Sequence, residues 1–500
     1  MSDPTIGYTK KKRSRLPIII GLIAALAIIA GLIYAISNVS NKSSSSSSEI
    51  TISVPLEPTN LNIRETGGVA LDQVLADNIY EGLVGFVSGT LEVQPVLATD
   101  YTVSDDGKSY EFNLREGVKF HSGNELTSRD VVTSLTETLG SMATVDATEE
   151  HTVTIELAEA NSGLVYLLAG RDGLILEAEA TNDLANSANG TGPYLFEEWK
   201  QGDSITLIKN DDYWGAPATL DKAVFRYIPD GKAAVNASLD GDLDVQVAVL
   251  STLRTEFDRS DDFNLISASG TDVFTLAYNN NKAPFDDVRV RTAFSQAIDV
   301  DEIIAALEGE GKPLGGPITE LEPGFLDLTH INSYNPENAQ KLLAEAGVEN
   351  LKVTVTTPNF YDAVVLDIVA TQLSEVGVEL TINPVEFSTW LEDVYTNKDY
   401  DLSYVDHAEA FDFFNYANPD YYFGFDNAEV QKLYSESLQS LSLEDAANKL
   451  AEASEVVANE AAAKWLYNYT PTNAISKKVQ GFPESNTNSR INLAGVTIVE

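Results

Sequence analysis

Two spacings of hydrophobic positions recur along the chain, and they predict a mixture of strands and helices. Alternating apolar and polar residues predict strands over 49–54, 101–114, 151–157 and 203–210. An Asp-Asp-Gly turn at 105–107 divides the second of these stretches into the two strands of a hairpin. Apolar residues three or four positions apart predict a helix over 70–83 and a second helix with Thr127 or Ser128 as its N-cap and Asp130 in its first turn.

The second half of the chain alternates helices and strands. Helices are predicted over 286–298, 300–309, 335–347 and 361–377, and strands over 351–357 and 378–386. Asn335 is the predicted N-cap of the third helix, with Pro336 in its first turn and Gly347 at its end. A strand–helix–strand unit of about 30 residues implies a parallel sheet with a right-handed crossover. We therefore expect a separate α/β lobe over about 285–470, and the strand-like segment 481–500 is predicted to return to the first lobe.

The N-terminal segment carries the pattern of a membrane anchor. An uncharged run of 22 residues over 16–37 follows a cluster of lysines and arginines at 10–15. At 1.5 Å per residue this run would span about 33 Å, which is enough to cross a bilayer. The basic cluster predicts a cytoplasmic tail at 1–15, and the serine-rich stretch 38–48 predicts a flexible linker to a binding domain outside the cytoplasm. A cleaved signal peptide is the alternative, although its apolar run would be shorter and followed by small residues.

Composition excludes several classes of function. The chain has 76 acidic and 32 basic residues and a net charge of −44, so its surface repels nucleic acid and anionic lipid headgroups. It has no cysteine, which excludes disulfides, thiol catalysis and thiolate metal sites. No nucleophile elbow of the G-x-S-x-G type and no H-E-x-x-H helix occurs, so we expect neither an enzyme nor a metal or cofactor site.

Five stretches in a fixed order carry a resemblance to a known family. They are IYEGLVGF (79–86), SDDGKSYEFNLREGVKFHSGNELTSRDVVTSL (104–135), GTGPYLFEEWKQGDSITLIKNDDYWG (190–215), NNNKAPFDDVRVRTAFSQAID (279–299) and YDLSY with NPDYYFG (400–424). The chain resembles the family 5 extracellular solute-binding proteins, which include the dipeptide-, oligopeptide- and nickel-binding subunits of ABC importers. The resemblance implies an α/β, two-lobed periplasmic-binding-protein-like fold with an extra subdomain on the first lobe (the large, cluster C type).

The resemblance also implies where the lobes begin and end. The first lobe is predicted to consist of three stretches, 49–78, 191–282 and 475–500. The subdomain is predicted over 79–190 and the second lobe over 283–474. The two strands that cross between the lobes are predicted near 278–284 and 474–481. Ligand would be enclosed by a hinge motion that closes the lobes.

The function implied by this resemblance is capture of a solute for import. We expect a monomer that captures peptides, an oligopeptide rather than strictly a dipeptide, and delivers them to ABC permease subunits in the membrane. An oligosaccharide or another organic solute is the alternative ligand, and a surface receptor that does not transport is the alternative role.

A departure from the family pattern marks the predicted ligand site. Many peptide-binding members place a tryptophan and then an aspartate after the YDL strand, and the aspartate pairs with the ligand's α-ammonium. This chain has His407 and Ala410 at those two positions, with Glu409 and Asp412 beside them. Either carboxylate could replace the aspartate.

Other candidate ligand contacts come from aromatic residues and from the first lobe. They are Phe411, Tyr416, Tyr421 and Trp390 from the second lobe, and Thr66, Gly67 and Asn279 from the first lobe and the hinge. Aromatic side chains suit a cleft that binds side chains or sugar faces, although part of this set is also expected in the core. His121, Tyr213 and Trp214 are predicted to be structural rather than ligand-binding.

Overall fold

The computed structural model describes residues 48–65, 69–359, 361, 363–408, 410–486 and 490–499. The predicted tail, anchor and most of the linker lie outside these residues, as do Thr66, Gly67 and Glu409. Among the residues described, no helix is both long enough and apolar enough to span a membrane.

The described strands are numbered in chain order. They are β1 (Glu49–Val54), β2 (Val84–Phe86), β3 (Val93–Pro95), β4 (Ala98–Val103), β5 (Ser109–Leu114), β6 (Ala143–Glu149), β7 (Thr152–Leu157), β8 (Tyr194–Lys200), β9 (Ser204–Lys209), β10 (Lys222–Tyr227), β11 (Val245–Gln246), β12 (Phe263–Ser267), β13 (Ser269–Gly270), β14 (Val273–Tyr278), β15 (Gly311–Lys312), β16 (Leu351–Pro358), β17 (Val378–Val385), β18 (Leu402–His407), β19 (Ala463–Tyr469), β20 (Thr472–Ser476), β21 (Val479–Gln480), β22 (Ser485–Asn486) and β23 (Thr497–Ile498).

The described α-helices are numbered in the same way. They are α1 (Val69–Leu75), α2 (Ser128–Leu139), α3 (Leu164–Ala169), α4 (Gly231–Leu239), α5 (Val288–Ala297), α6 (Val300–Ala306), α7 (Pro336–Glu345), α8 (Val364–Glu375), α9 (Phe387–Trp390), α10 (Phe414–Ala417), α11 (Ala428–Leu438) and α12 (Leu443–Asn459). Short 3-10 turns lie at Gly140–Met142, Arg171–Gly173 and Ser251–Arg259, and a π-helix at Leu391–Thr396.

The first lobe is built on a seven-stranded sheet of described strands in the order β12-β20-β11-β1-β10-β9-β8. Its central strand β1 pairs in parallel with both β10 and β11. Ile50 and Ile52 on that strand are fully buried, and C-terminal residues Ile491, Leu493 and Val496 pack in the same core. The C-terminal segment thus returns to the first lobe, as expected, although its described strands are only two residues long.

An inserted region, residues 83–175, has a core of its own. It contains the four-stranded antiparallel sheet β4-β5-β7-β6, whose first two strands form the predicted hairpin with Gly107 at φ 70°. Of the two predicted N-caps of the helix α2, the structure has Thr127. The carboxylate of Asp130 accepts hydrogen bonds from the backbone N–H and the hydroxyl of Thr127, at 2.9 and 2.7 Å, which forms a capping box at the start of α2.

A buried glutamate connects the inserted region to the first lobe. Glu81 Oε1 accepts a hydrogen bond from the Tyr213 hydroxyl at 2.6 Å. Its Oε2 accepts from Trp214 Nε1 at 3.0 Å and from the Thr191 hydroxyl at 2.8 Å. Burial raises the pKa of Glu81 to about 7, and these three donors oppose the shift. Tyr213 and Trp214 are therefore structural, as predicted, and His121 is too, since its Nε2 lies 3.0 Å from the Gly192 carbonyl oxygen.

The predicted helix over 70–83 is shorter than its pattern indicated. The helix α1 ends at Leu75, and Asp77 adopts the left-handed region at φ 65°. Asn78 then donates from Nδ2 to the carbonyl oxygens of Val74 and Ile491, at 3.0 and 2.8 Å. Apolar residues after this turn are buried because the chain enters the core, not because the helix continues.

The second lobe is built on a six-stranded sheet of described strands in the order β15-β19-β14-β18-β16-β17. The strand–helix–strand unit is confirmed, because β16 and β17 pair in parallel over eight residues and α8 connects them. Asn335 caps α7 as predicted, accepting a hydrogen bond from the Asn338 N–H at 3.0 Å. Helix α7 is followed by Gly347 at φ 73°, in the left-handed conformation that favours glycine.

The chain passes between the two large sheets at residues 268–272 and 470–471. Both crossings precede the predicted positions, 278–284 and 474–481. The strand β14, predicted within the first lobe, instead pairs with β18 and β19 of the second sheet. Its residues are buried on both faces, and such a run is compatible with the centre of either sheet.

Candidate functional site

A cavity of about 570 Å³ lies where the first lobe, the inserted region and the second lobe meet. The first lobe contributes Asp72 on α1, the inserted region contributes Tyr166 and Arg171, and the second lobe contributes Glu322 and Phe411. Helices α11 and α12 complete the wall. The cavity therefore needs both lobes for its shape, as a site that closes by hinge motion does.

Phe411 makes an aromatic contact across this cavity. Its ring stacks on Tyr166 with centroids 4.5 Å apart and on Phe86 with centroids 6.1 Å apart, and both partners belong to the inserted region. The residue has φ 65°, an uncommon conformation for a bulky side chain. Strained backbone of this kind persists where the surrounding contacts impose it, and here those contacts come from both lobes.

Polar contacts also bridge the lobes. The N–H of Ser162 in the inserted region donates to the Leu438 carbonyl oxygen at 2.7 Å, and its hydroxyl donates to the Ser437 carbonyl oxygen at 2.9 Å. Arg254 of the first lobe donates from Nη2 to Glu310 Oε1 of the second at 2.6 Å. These contacts describe a closed arrangement of the two lobes.

Glu322 holds the loop that carries Phe411. Its Oε1 accepts the backbone N–H of Phe411 at 2.7 Å. Its Oε2 accepts the backbone N–H and the hydroxyl of Thr319 at 2.9 and 2.8 Å. Burial raises the pKa of Glu322 to about 7, and the nearby charge of Asp412 adds to that rise. Glu322 therefore positions the 410–412 turn against the cavity.

Asp412 and His407 lie together behind this loop. Asp412 Oδ2 lies 3.5 Å from His407 Nδ1 and accepts a hydrogen bond from Asn415 Nδ2 at 3.0 Å. His407 Nε2 lies 3.1 Å from the Tyr422 hydroxyl. Both predicted site residues are partly buried, and they adjoin the cavity wall formed by Ala408, Ala410 and Phe411.

The two arginines of the cavity wall are bound by acceptors on the same side of the cleft. Arg171 Nη1 donates to Asp72 Oδ1 at 2.6 Å, and its Nε donates to the Ile63 carbonyl oxygen at 3.0 Å. Arg490 Nη1 donates to Asp77 Oδ1 at 3.0 Å. The acidic groups Asp172 and Glu322 line the same cavity. The wall thus contains two arginines that already have acidic partners, and it also contains two further carboxylates.

Three of the predicted ligand contacts lie inside the second lobe instead. Trp390 is buried and donates from Nε1 to the Ser403 hydroxyl at 2.9 Å. Tyr416 is buried, and its hydroxyl accepts from Trp465 Nε1 at 2.9 Å. Asn279 Nδ2 donates to the carbonyl oxygens of Lys398 and Tyr400, both at 3.0 Å. Each polar tip has a partner within the lobe, so these side chains serve packing and not the cavity.

Tyr421 belongs to a neighbouring aromatic cluster. Its ring is partly buried and lies 4.8 Å from Tyr422 and 5.0 Å from Phe423, centroid to centroid. Of the aromatic residues predicted to contact ligand, Phe411 lies in the cavity wall. The sequence does not indicate the wall residues Tyr166, Asp72 and Glu322, because nothing in their local sequence distinguishes them from ordinary core or capping residues.

Residues 92–429 match the model of the bacterial extracellular solute-binding proteins, family 5. The chain belongs to this family. The match covers more than half of the chain and contains the second-lobe residues Glu322 and Phe411 of the cavity.

Curated relatives of this family 5 chain bind several solutes. It is 29% identical to heme-binding protein A of Haemophilus influenzae over 55% of this chain and 57% of that protein. It is 29% identical to the dipeptide-binding protein of Escherichia coli over 54% of this chain and 58% of that protein. The chain thus spans a little over half the length of these two relatives. The oligopeptide-binding protein AppA of Bacillus subtilis is 24% identical over 92% of this chain and 95% of its own length.

Solved structures share the two-lobed α/β fold. HbpA2 from Haemophilus parasuis superposes with a TM-score of 0.81 at 20% identity, covering 90% of this chain and 100% of that one. AppA from Bacillus subtilis, in complex with a nonapeptide, gives a TM-score of 0.73 at 23% identity, covering 90% and 99%. At these identities the likeness establishes the fold, which is the mixed α/β, two-lobed periplasmic-binding-protein fold.

Proposed function

We propose that this protein captures peptides outside the cytoplasm, in the cavity between its lobes, and delivers them to the permease of an ABC importer. The observation that carries the proposal is a cavity of about 570 Å³ walled by both lobes and crossed by the Phe411–Tyr166 stack. Its volume lies within the range of about 300–1,000 Å³ typical of sites for small organic ligands. Family membership supports the general role, and relatives named for peptides support the ligand class.

The charges of the wall favour a ligand with a free amine. Asp172 lines the cavity and Asp412 adjoins it, whereas Arg171 and Arg490 are already bound by first-lobe aspartates. A carboxylate in a cleft with little water stabilises an ammonium group. A dipeptide binder would need a cation for the nearby C-terminal carboxylate, so this wall supports an oligopeptide ligand over a strict dipeptide. Glu409 remains the second candidate for the ammonium partner.

We also propose the finer organisation of the chain from its sequence. Residues 1–15 would form a cytoplasmic tail and 16–37 a single-pass anchor, with 38–48 as the linker to the binding domain. Residues 79–190 would form the extra subdomain of the cluster C type, and the inserted core at 83–175 supports that assignment. The binding domain would act as a monomer.

Binding of peptides with free and N-acetylated termini tests the proposal. Peptides of two to six residues should bind the full-length protein, and N-acetylation should weaken binding at least tenfold, which is about 1.4 kcal/mol. If Asp412 holds the amine, Asp412→Ala should remove most of that difference, whereas the exposed Asp420→Ala should retain it. Glu409→Ala provides the parallel test for the other carboxylate. Binding of an oligosaccharide in calorimetry, with no binding of any peptide, would refute the proposed ligand class.

A further inference from the structure

A second cavity of about 390 Å³ lies within the second lobe and shares no wall residue with the cavity between the lobes. Strand β19 contributes Lys464, the region from α5 to α6 contributes Asp299 and Asp301, and the 329–334 segment contributes Ser333 and Tyr334. Apolar side chains, including Ile298 and Trp465, line the remainder. The cavity therefore combines a cation, two carboxylates and hydroxyl groups within one small volume.

Lys464 lies in the wall of this cavity without the acidic partner that several other lysines of this acidic chain have. Lys312 and Lys352 are paired with Glu320 and Glu379, at 2.9 and 2.7 Å. Lys464 is partly buried, and within the described part of the chain its ammonium makes no ion pair and no hydrogen bond. A partly desolvated cation without a partner is stabilised by an anion placed beside it. The cavity wall thus presents a group that an anion would stabilise.

Asp299 is the carboxylate whose charge acts on Lys464, but its hydrogen bonds are made with the backbone and not with the lysine. Asp299 caps α6 and accepts the backbone N–H groups of Asp301 and Glu302, at 3.1 and 3.4 Å. Its charge acts on Lys464 from a distance, while burial lowers the pKa of Lys464 to about 8. Because Asp299 and Asp301 line the same cavity without pairing with the lysine, a ligand between them could carry charges of both signs.

We propose that this cavity binds a free α-amino acid, with its carboxylate at Lys464 and its ammonium facing Asp299 and Asp301. A carboxylate alone would satisfy Lys464 but would lie near two like charges. An amine alone would satisfy the aspartates but would add a second cation beside the lysine. A zwitterion of small size satisfies both requirements, and the volume of about 390 Å³ accommodates a ligand of that class.

Three probes that differ in charge test the proposal on the full-length protein. L-alanine carries both charges, propionate only the carboxylate and L-alaninamide only the ammonium. Calorimetry or ligand-observed NMR should show alanine binding at least tenfold more tightly than either of the others. Equal binding of propionate and alanine would refute the two-charge arrangement, and absence of alanine binding at millimolar concentration would refute the site.

Variants of Lys464 locate the binding. Lys464→Met should weaken alanine binding at least tenfold, and Lys464→Arg should restore part of it because the charge remains. Lys477→Met is the matched control, since Lys477 is exposed and lies outside the cavity. Peptide binding between the lobes should be unchanged in all three variants, and Asp412→Ala should leave alanine binding unchanged. The failure of one site is therefore distinguishable from the failure of the other.

Chemical modification of the unmutated protein provides a measurement that does not depend on how the variants fold. Acetic anhydride acylates unprotonated amines, and mass spectrometry of the digested protein gives the rate at Lys464. Because both probes consume reagent through their own amines, the measured quantity is the ratio of the acylation rate at Lys464 to that at Lys477 in the same sample. L-alanine should lower this ratio, and L-alaninamide should leave it unchanged. A ratio that is the same with and without saturating alanine would contradict the proposal.

Discussion

Two glutamates, one in each half of the molecule, both have a pKa raised by burial and differ in the groups that their carboxylates accept hydrogen bonds from. Glu81 accepts hydrogen bonds from three side chains, those of Tyr213, Trp214 and Thr191. Glu322 accepts from two backbone N–H groups and one hydroxyl, and one of those N–H groups belongs to Phe411 in the cavity wall. Burial raises the pKa of both to about 7.

The difference shows that a shifted pKa alone does not distinguish a functional carboxylate from a structural one. The partners of Glu81 lie within the first lobe and the inserted region, so the carboxylate connects parts that do not separate during closure. Glu322 instead fixes a loop that touches the opposite side of the cleft. We therefore expect loss of Glu81 to affect stability and loss of Glu322 to affect ligand binding.

The largest effect is expected from Glu81→Leu. This change leaves the hydroxyls of Tyr213 and Thr191 and the indole N–H of Trp214 without their acceptor, at about 1–3 kcal/mol for each buried donor. We expect a loss of about 5 kcal/mol in the free energy of unfolding of the first lobe, measured by urea denaturation. The control Glu116→Leu changes an exposed glutamate of the same region and should alter stability by less than about 1 kcal/mol. Equal losses in both variants would contradict the structural role.

An intermediate effect for each single glutamate is expected from pH. Because the folded-state pKa of each glutamate is raised from 4.5 to about 7, the folded protein binds these protons more tightly than the unfolded chain. Each group therefore stabilises the fold most below about pH 4.5, and this contribution is lost as the pH rises to about 7, by about 3 kcal/mol per group. Urea unfolding at several pH values should show this slope, and Glu81→Gln and Glu322→Gln should each flatten it. A slope unchanged in both variants would rule out this titration.

The smallest free-energy change of the three is expected from Glu322→Ala. The variant frees the backbone N–H of Phe411, so the loop loses a charge-assisted hydrogen bond worth about 1.5–3 kcal/mol. We expect peptide affinity to fall about tenfold or more, with a stability loss below that of Glu81→Leu because water in the cleft can replace the lost acceptor. Glu320→Ala removes an exposed glutamate two positions earlier and should leave affinity within about twofold. If Glu320→Ala weakened binding as much as Glu322→Ala, the loop would not depend on this carboxylate.

Local features of the fold were predictable because they depend on neighbours in sequence. The hairpin at 101–114, the Thr127 cap and the parallel unit from 351 to 385 each follow from spacing and turn residues within a short window. The crossings were not predictable, since the apolar strand β14 fits the centre of either sheet. Its position is fixed by β18 and β19, which come more than 120 residues later.

The candidate site was predictable only in part for the same reason. The departure at His407 and Ala410 indicates the loop that carries Phe411, and Phe411 lies in the cavity wall. Trp390 and Tyr416 each have an aromatic ring and a polar group, as many ligand contacts do. Only the fold shows that these polar groups are hydrogen-bonded to Ser403 and Trp465. The cavity wall opposite Phe411 is formed by residues that are far apart in the chain, so no sequence spacing predicts that they lie together.

The return of the C-terminal segment to the first lobe determines the order in which the chain can complete its fold during synthesis. The strands of the second lobe lie within the continuous stretch 273–469, so that lobe can form as soon as this stretch is available. The first lobe begins earlier, yet its sheet needs β20 and its core needs Leu493 and Val496. Since synthesis proceeds from the N-terminal side, the second lobe can be complete before the first, and the first lobe stays incomplete until the stretch 472–496 has been made.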